Sequence, residues 1–176
     1  MKSTETLITH NIICLEQGID LLRMLDDSCY THTDSPLYPS SIGDHLRHGL
    51  EHYMSFLAGV EGGRIDYDAR KRDLRIATSR VYAIETSQTI IAGLKQLQFE
   101  NRTLLVKMDC DQQAEEEEVP WSVSSVDRDL QYLQAHTIHH YALIALILRL
   151  QGHEPGADFG VAPSTLRYRK QCQDLS

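Results

Sequence analysis

The stretch DRDLQYLQAHTIHHYALIALILRLQ, residues 127–151, predicts one long helix with histidines at its centre. At about 100° per residue, His136 and His140 lie one turn apart on the same face of that helix. Leu133 and Ile144 fall near this face, so both imidazoles lie on or beside the apolar stripe that should enter a core. Buried imidazoles need polar partners, and a divalent metal ion is one such partner.

The overall composition is that of an ordinary globular chain. The 176 residues fit one domain, 1–176, with a sizeable core, and 41% of them are hydrophobic. The formal net charge is −8 at pH 7. This acidic balance argues against a general nucleic-acid surface or an anionic-membrane surface, because both partners attract net positive patches.

Three further features predict a soluble cytoplasmic protein. The four cysteines, Cys14, Cys29, Cys110 and Cys172, show no C-x-x-C spacing, which fits a reducing compartment. The N-terminal residues MKSTETLITH lack the apolar centre of a signal peptide. The longest strongly apolar run, residues 142–148, is too short to cross a bilayer.

Apolar residues at three- and four-residue steps predict three more long helices. These span residues 3–28, residues 40 or 41 to 59, and residues 78–98. Ser41 and Asp44 can form a capping box at the start of the second helix. Together with the histidine helix, which should begin at Ser124 or Ser125 and end at Gly152, they predict an all-α four-helix bundle.

The connections between these helices carry weaker signals. The charged segment 61–75 should be a surface loop, and the tail 153–176 should be mostly loop because of its glycines and prolines. Residues 101–108 should form a strand, with residues 115–122 as its partner in a short β-hairpin between helices three and four. The inward candidates of helix three include Val81, Ile84, Thr89, Ile91 and Leu94.

Three histidines line one flank of the second helix: His45, His48 and His52. Three imidazoles can hold a divalent metal and leave positions open for water or substrate. Two ligands at i and i+4 on the last helix would therefore need a third from this facing helix. On a helical wheel His45 and His52 lie nearer the apolar centre than His48, so sequence spacing does not select the third ligand.

Two histidine motifs resemble those of the DinB/YfiT-like superfamily. They are SIGDHLRHGLEHYMSF at residues 41–56 and HTIHHYALIALILRLQG at residues 136–152. The ending DFGVAPSTLRYR, residues 158–169, is similar to one uncharacterised branch of DinB-like proteins. The resemblance covers nearly the whole chain. It implies a four-helix bundle that holds a metal with three histidines.

The resemblance also implies which histidines bind the metal. One ligand comes from the second helix, seven residues after Ser41, which is His48, and the other two are His136 and His140. The remaining histidines of these motifs, His45, His52 and His139, would be second-shell partners or substrate contacts.

The implied functions are those of a metal-dependent enzyme, either a small-molecule hydrolase or a transferase of small thiols. The alternative is a non-catalytic metal-binding or stress-related bundle protein. The imidazole ligand set favours zinc or nickel, and iron, manganese or cobalt remain compatible with it. The resemblance implies a small-molecule substrate and is compatible with a homodimer. The acidic net charge predicts no nucleic-acid or membrane partner.

Overall fold

A computed structural model describes residues 3–97, 101–109 and 119–174, which form a mostly helical fold with a small sheet. The elements in chain order are α1 (Ser3–Met24), α2 (Asp27–Thr31), α3 (Ile42–Gly59), β1 (Arg64–Asp66), α4 (Leu74–Thr78), α5 (Arg80–Gln96), β2 (Thr103–Lys107), β3 (Ser122–Ser125), α6 (Val126–Leu150) and α7 (Pro163–Gln173). The four longest helices pack together, with α1 and α3 each contacting both α5 and α6. Their apolar faces enclose one core.

Capping residues set the ends of the helices that carry the histidines. The Ser41 hydroxyl accepts from the Asp44 N–H, and the Asp44 carboxylate accepts from the Ser41 N–H, so the predicted capping box at the start of α3 is confirmed. The Ser125 hydroxyl accepts from the N–H of the third residue of α6. Gly152, just beyond the end of α6, has a φ of 82°, a left-handed conformation that glycine adopts without strain.

A buried polar network fixes three helices against one another next to the histidines. The Tyr53 hydroxyl on α3 donates to Asn11 Oδ1 on α1 at 2.7 Å, and Thr137 Oγ1 on α6 donates to the Tyr53 oxygen at 3.1 Å. Asn11 Nδ2 donates to the Leu130 carbonyl at 3.0 Å. Tyr53 directly follows His52, and Thr137 directly follows His136. The network therefore sets the register between α3 and α6 where their histidines face each other.

Two of the helix predictions need correction. The first helix ends at Met24 rather than at residue 28, because Asp26 caps the separate short helix α2 by accepting from the Cys29 N–H at 2.7 Å. On α5 the side chains of Val81 and Thr89 are exposed, although both were assigned inward. Ala83, Ser87 and Ile90 face the core in their place.

The predicted strand pair exists, but it belongs to a larger sheet. Strand β2 pairs antiparallel with β3, with Thr103 opposite Ser125 and Val106 opposite Ser122. The partner strand thus lies later than the predicted segment 115–122, of which residues 115–118 are outside the described residues. Strand β2 also pairs in parallel with β1, which lies inside the predicted surface loop 61–75.

The tail expected to be mostly loop contains a helix. Helix α7 begins with Pro163 in its first turn, a position that proline favours, and none of its residues is buried. Before α7, the buried Phe159 ring stacks on Tyr141 of α6 at 4.7 Å between ring centroids. Among the helices of the described ranges, each falls short of the length or apolar character needed to cross a membrane.

Replacing Gly43 with alanine is expected to destabilise the protein. A Cβ atom at Gly43 would overlap the backbone carbonyl of Ala77 in α4, so the two helices would have to move apart. Overpacking of this kind costs about 1–3 kcal/mol in free energy of unfolding. Urea denaturation measures it, with Gly49→Ala as the control on the same helix, since nothing lies within 4 Å of a Cβ there. Equal stability of both variants would contradict this, because α4 would then move away from α3 without a measurable cost in free energy of unfolding.

Candidate metal centre

Three histidines from two helices converge at the interface of α3 and α6. One ring nitrogen each of His48, His136 and His140 can be chosen so that all three atoms lie within 4.8 Å of one another. The Nε2 atoms of His136 and His140 are 2.9 Å apart. The ring centroid of His48 lies 4.9 Å from that of His136 and 4.8 Å from that of His140. The three histidines that the resemblance names are therefore brought together as a triad.

The other two histidines of α3, His45 and His52, lie beside the triad and are not part of it. A helical wheel places both nearer the core than His48. His52 is 4% exposed, and its Nδ1 donates to the His48 carbonyl oxygen at 2.7 Å. His45 Nδ1 lies 3.1 Å from His140 Nδ1. Both residues thus contact triad members. The wheel correctly ranked His52 as more buried than His48, whereas His45 and His48 are both half-buried.

The sixth histidine of the two motifs lies at the surface. His139 is exposed, and its ring centroid lies 5.2 Å from that of His140. His139 therefore lies at the solvent-exposed edge of the triad.

Burial holds the triad histidines in their neutral form. Desolvation, reinforced by neighbouring histidines and by Arg70, lowers the pKa of His48 to about 4. Desolvation and the adjacent histidines lower the pKa of His136 and of His140 to about 3 each. Near neutral pH each ring therefore keeps a nitrogen lone pair, which is the form of imidazole that binds metals.

The nitrogen contacts within the triad indicate that it fits a divalent transition-metal ion. Two neutral Nε2 atoms at 2.9 Å can share one hydrogen bond, but they can equally both direct lone pairs at a common cation. His136 Nδ1 is buried and has no hydrogen-bond partner among the described residues. With a cation at Nε2, this Nδ1 would carry the ring proton. Three nitrogen donors suit zinc, nickel, cobalt or iron.

Aromatic side chains close one side of the triad. The Tyr67 ring stacks on the His52 ring at 5.5 Å, and the Tyr132 ring lies 5.4 Å from those of His136 and Tyr67. The Tyr67 hydroxyl donates to the buried carboxylate of Asp129 at 2.9 Å. These contacts restrict water on that side, whereas the three triad side chains themselves are only half-buried. The triad is thus accessible from one side and covered on another.

One charged residue beside the triad, Arg70, comes from the segment that the sequence predicts to be a surface loop. Arg70 Nη2 lies 3.5 Å from His48 Nδ1. The carboxylate of Glu51, which is 2% exposed, lies 3.7 Å from the Nε atoms of both Arg70 and Arg47. The prediction missed Arg70 and Tyr67 because β1 has only three residues. The period-two alternation of Ile65 and Tyr67 was the available signal for a strand there.

A small cavity lies on the core side of the triad. Its volume is about 10 Å³, and its lining includes His45, Leu50, Tyr53 and His140. That volume matches one water molecule and excludes an organic substrate. A substrate would therefore have to approach from the half-exposed side.

No protein-family model matches the sequence, and no curated protein matches it either.

Replacing His45 with alanine is expected to weaken metal binding without abolishing it. When His140 uses Nε2 for a cation, its Nδ1 carries the proton and can donate to His45 Nδ1, which orients the ring. Loss of such an orienting partner typically costs about 10–100-fold in metal affinity. Competition with a chelator of known affinity measures the change. His139→Ala is the matched control, and an equal loss in both variants would contradict the orienting role.

Proposed function

We propose that this protein binds a divalent transition metal through His48, His136 and His140. The convergence of one nitrogen from each residue within 4.8 Å carries the proposal, since it places three neutral donors around one point. Zinc or nickel is the preferred ion, with iron, manganese or cobalt as alternatives that the same donors accept.

We further propose that the chain is a DinB-like four-helix bundle with metal-dependent enzymatic activity. The first ligand lies on the second of the four long helices and the other two lie four residues apart on the last, which is the arrangement that the sequence resemblance implies. Because the triad is only half-buried, a substrate could reach it, which favours a catalytic site over a purely structural one. A site with open access admits a substrate, whereas a purely structural site is closed by protein ligands.

The chemistry that the bound ion would supply is acidification of a bound water or binding of a thiolate. His52 can assist, because its Nδ1–H is held on the His48 carbonyl oxygen and its Nε2 therefore keeps a lone pair that can accept a proton. The Tyr67 and Tyr132 rings exclude water from one side. This set of groups suits hydrolysis of a small molecule or transfer of a small thiol.

Elemental analysis of protein purified without a histidine tag tests the first part of the proposal. About one transition-metal ion per chain is expected, and a metal-free protein that takes up no zinc or nickel would contradict it.

A screen of thiol adducts and small esters with the metal-loaded protein tests the second part, the enzymatic activity. A reaction rate that a chelator abolishes supports metal-dependent catalysis. Bound metal without turnover on any substrate would instead favour the alternative of a non-catalytic metal-binding or stress-related protein.

A further inference from the structure

We propose that Arg70 binds the carboxylate of a small organic substrate at the triad, an inference that rests on the proposed metal site. Arg70 is the cationic side chain that the structure places in contact with a triad histidine, with Nη2 at 3.5 Å from His48 Nδ1. A guanidinium presents several N–H donors in a planar fork that matches a carboxylate. A substrate oxygen next to His48 would therefore lie within reach of Arg70.

The contacts of Arg70 hold it in place but leave hydrogen-bonding capacity. Its Nη1 donates to the Tyr67 carbonyl at 2.6 Å, and its side chain is 16% exposed. Its buried Nε has no hydrogen-bond partner within the described ranges, since the nearest Glu51 oxygen is 3.7 Å away. The separation of Nη2 and His48 Nδ1 is long for a hydrogen bond. Because Nε is buried, Nη2 beside His48 is the part of the guanidinium that is suited to receive an acceptor.

The charges around Arg70 leave it available for an anion. Glu51 is its nearest anionic partner, but this carboxylate is shared, because Glu51 Oε1 accepts from the Asp73 N–H at 2.8 Å and also lies 3.7 Å from Arg47 Nε. Imidazole ligands are neutral, so a divalent ion at the triad would place two positive charges beside the guanidinium. A monoanionic carboxylate offsets this local excess.

The surrounding side chains indicate the rest of the substrate. Tyr132 and Tyr67 present aromatic rings beside the triad, and Tyr132 contacts the sulfur of Met108, which is 40% exposed. Aromatic and thioether groups pack against apolar bodies. The fork of one guanidinium matches the two oxygens of a carboxylate, whereas a phosphate has a further oxygen for which Arg70 offers no donor. We therefore expect an aromatic or short aliphatic carboxylate rather than a phosphate ester.

Anion titrations of the cobalt-loaded, full-length protein test this assignment. Benzoate is expected to change the visible cobalt absorption of the wild type in a saturable way, and phosphate is expected to bind more weakly. Arg70→Gln is expected to raise the benzoate concentration at half-saturation by about tenfold or more, the effect of one lost charge-assisted hydrogen bond. The matched control is Arg47→Gln, because Arg47 also faces Glu51 at 3.7 Å. It is expected to bind benzoate like the wild type.

The outcomes separate the role of Arg70 from the metal site itself. A wild type that takes up no cobalt, zinc or nickel overturns the site and this inference together. A loaded wild type that ignores benzoate, or that prefers phosphate, overturns the carboxylate assignment alone, as does unchanged affinity in Arg70→Gln. If Arg70→Gln fails to load cobalt, Arg70→Lys replaces it. Weaker benzoate binding by the cobalt-loaded Arg70→Lys variant supports recognition of the carboxylate by the planar guanidinium, and unchanged binding overturns it.

Discussion

Protein with His140 replaced by alanine is expected to lose its bound metal, and His136→Ala should have the same effect. Each substitution removes one of the three nitrogen donors that lie within 4.8 Å of one another. The expected loss of affinity is on the order of 100-fold or more, which exceeds the roughly 10–100-fold typical of residues that only orient a ligand. Metal content after gel filtration, together with chelator competition, measures the loss.

A matched control distinguishes a lost ligand from a damaged fold. His139→Ala alters the same helix at an exposed position, so it should keep the wild-type metal content. Far-ultraviolet circular dichroism should show that all three variants remain helical. Unchanged metal content in both His136→Ala and His140→Ala would rule out the triad as the metal site.

The helices that carry the triad were predictable because their signals are local. Ser41 and Asp44 cap α3 through contacts within three residues, and Ser125 and Gly152 bound α6 in the same way. The pairing of His136 with His140 follows from helix geometry alone, since residues four apart share a face. Such features depend on the chain within a turn or two, and sequence displays them directly.

The third histidine of the triad could not be selected from the residues alone. A helical wheel reports depth relative to one helix, and it correctly assigned His52 to the more buried side. The choice between His45, His48 and His52 depends on how α3 and α6 are rotated against each other. The long-range contact of Tyr53 with Thr137 fixes that rotation, and a single-helix pattern contains no information on it.

Other errors arose where tertiary contacts compete with local patterns. The apolar Val81 was assigned inward but is 55% exposed, because the small residues Ala83 and Ser87 allow close packing on another face of α5. The segment that holds Arg70 was predicted to be a loop because of its charges. Its three-residue strand β1 is stabilised by pairing with β2, about forty residues later in the chain, and not by its own propensity.

The metal-free protein is expected to become less stable as the pH falls from 7 to 5. The pKa of a histidine in the unfolded chain is about 6.5, whereas burial and the neighbouring histidines hold those of His48, His136 and His140 at about 4, 3 and 3. The unfolded state therefore binds more protons over this interval, and folding stability rises with pH and is lost as the pH falls below about 6.5. Each proton contributes at most about 1.4 kcal/mol per pH unit, and the half-exposed rings contribute less because solvent screens them.

Urea denaturation with a chelator present, at half-unit pH steps, measures the slope of stability against pH. His136→Gln should flatten it, because the variant lacks one of the imidazoles whose pKa is depressed. A wild-type slope that His136→Gln does not reduce would mean that His136 is not held neutral in the folded protein.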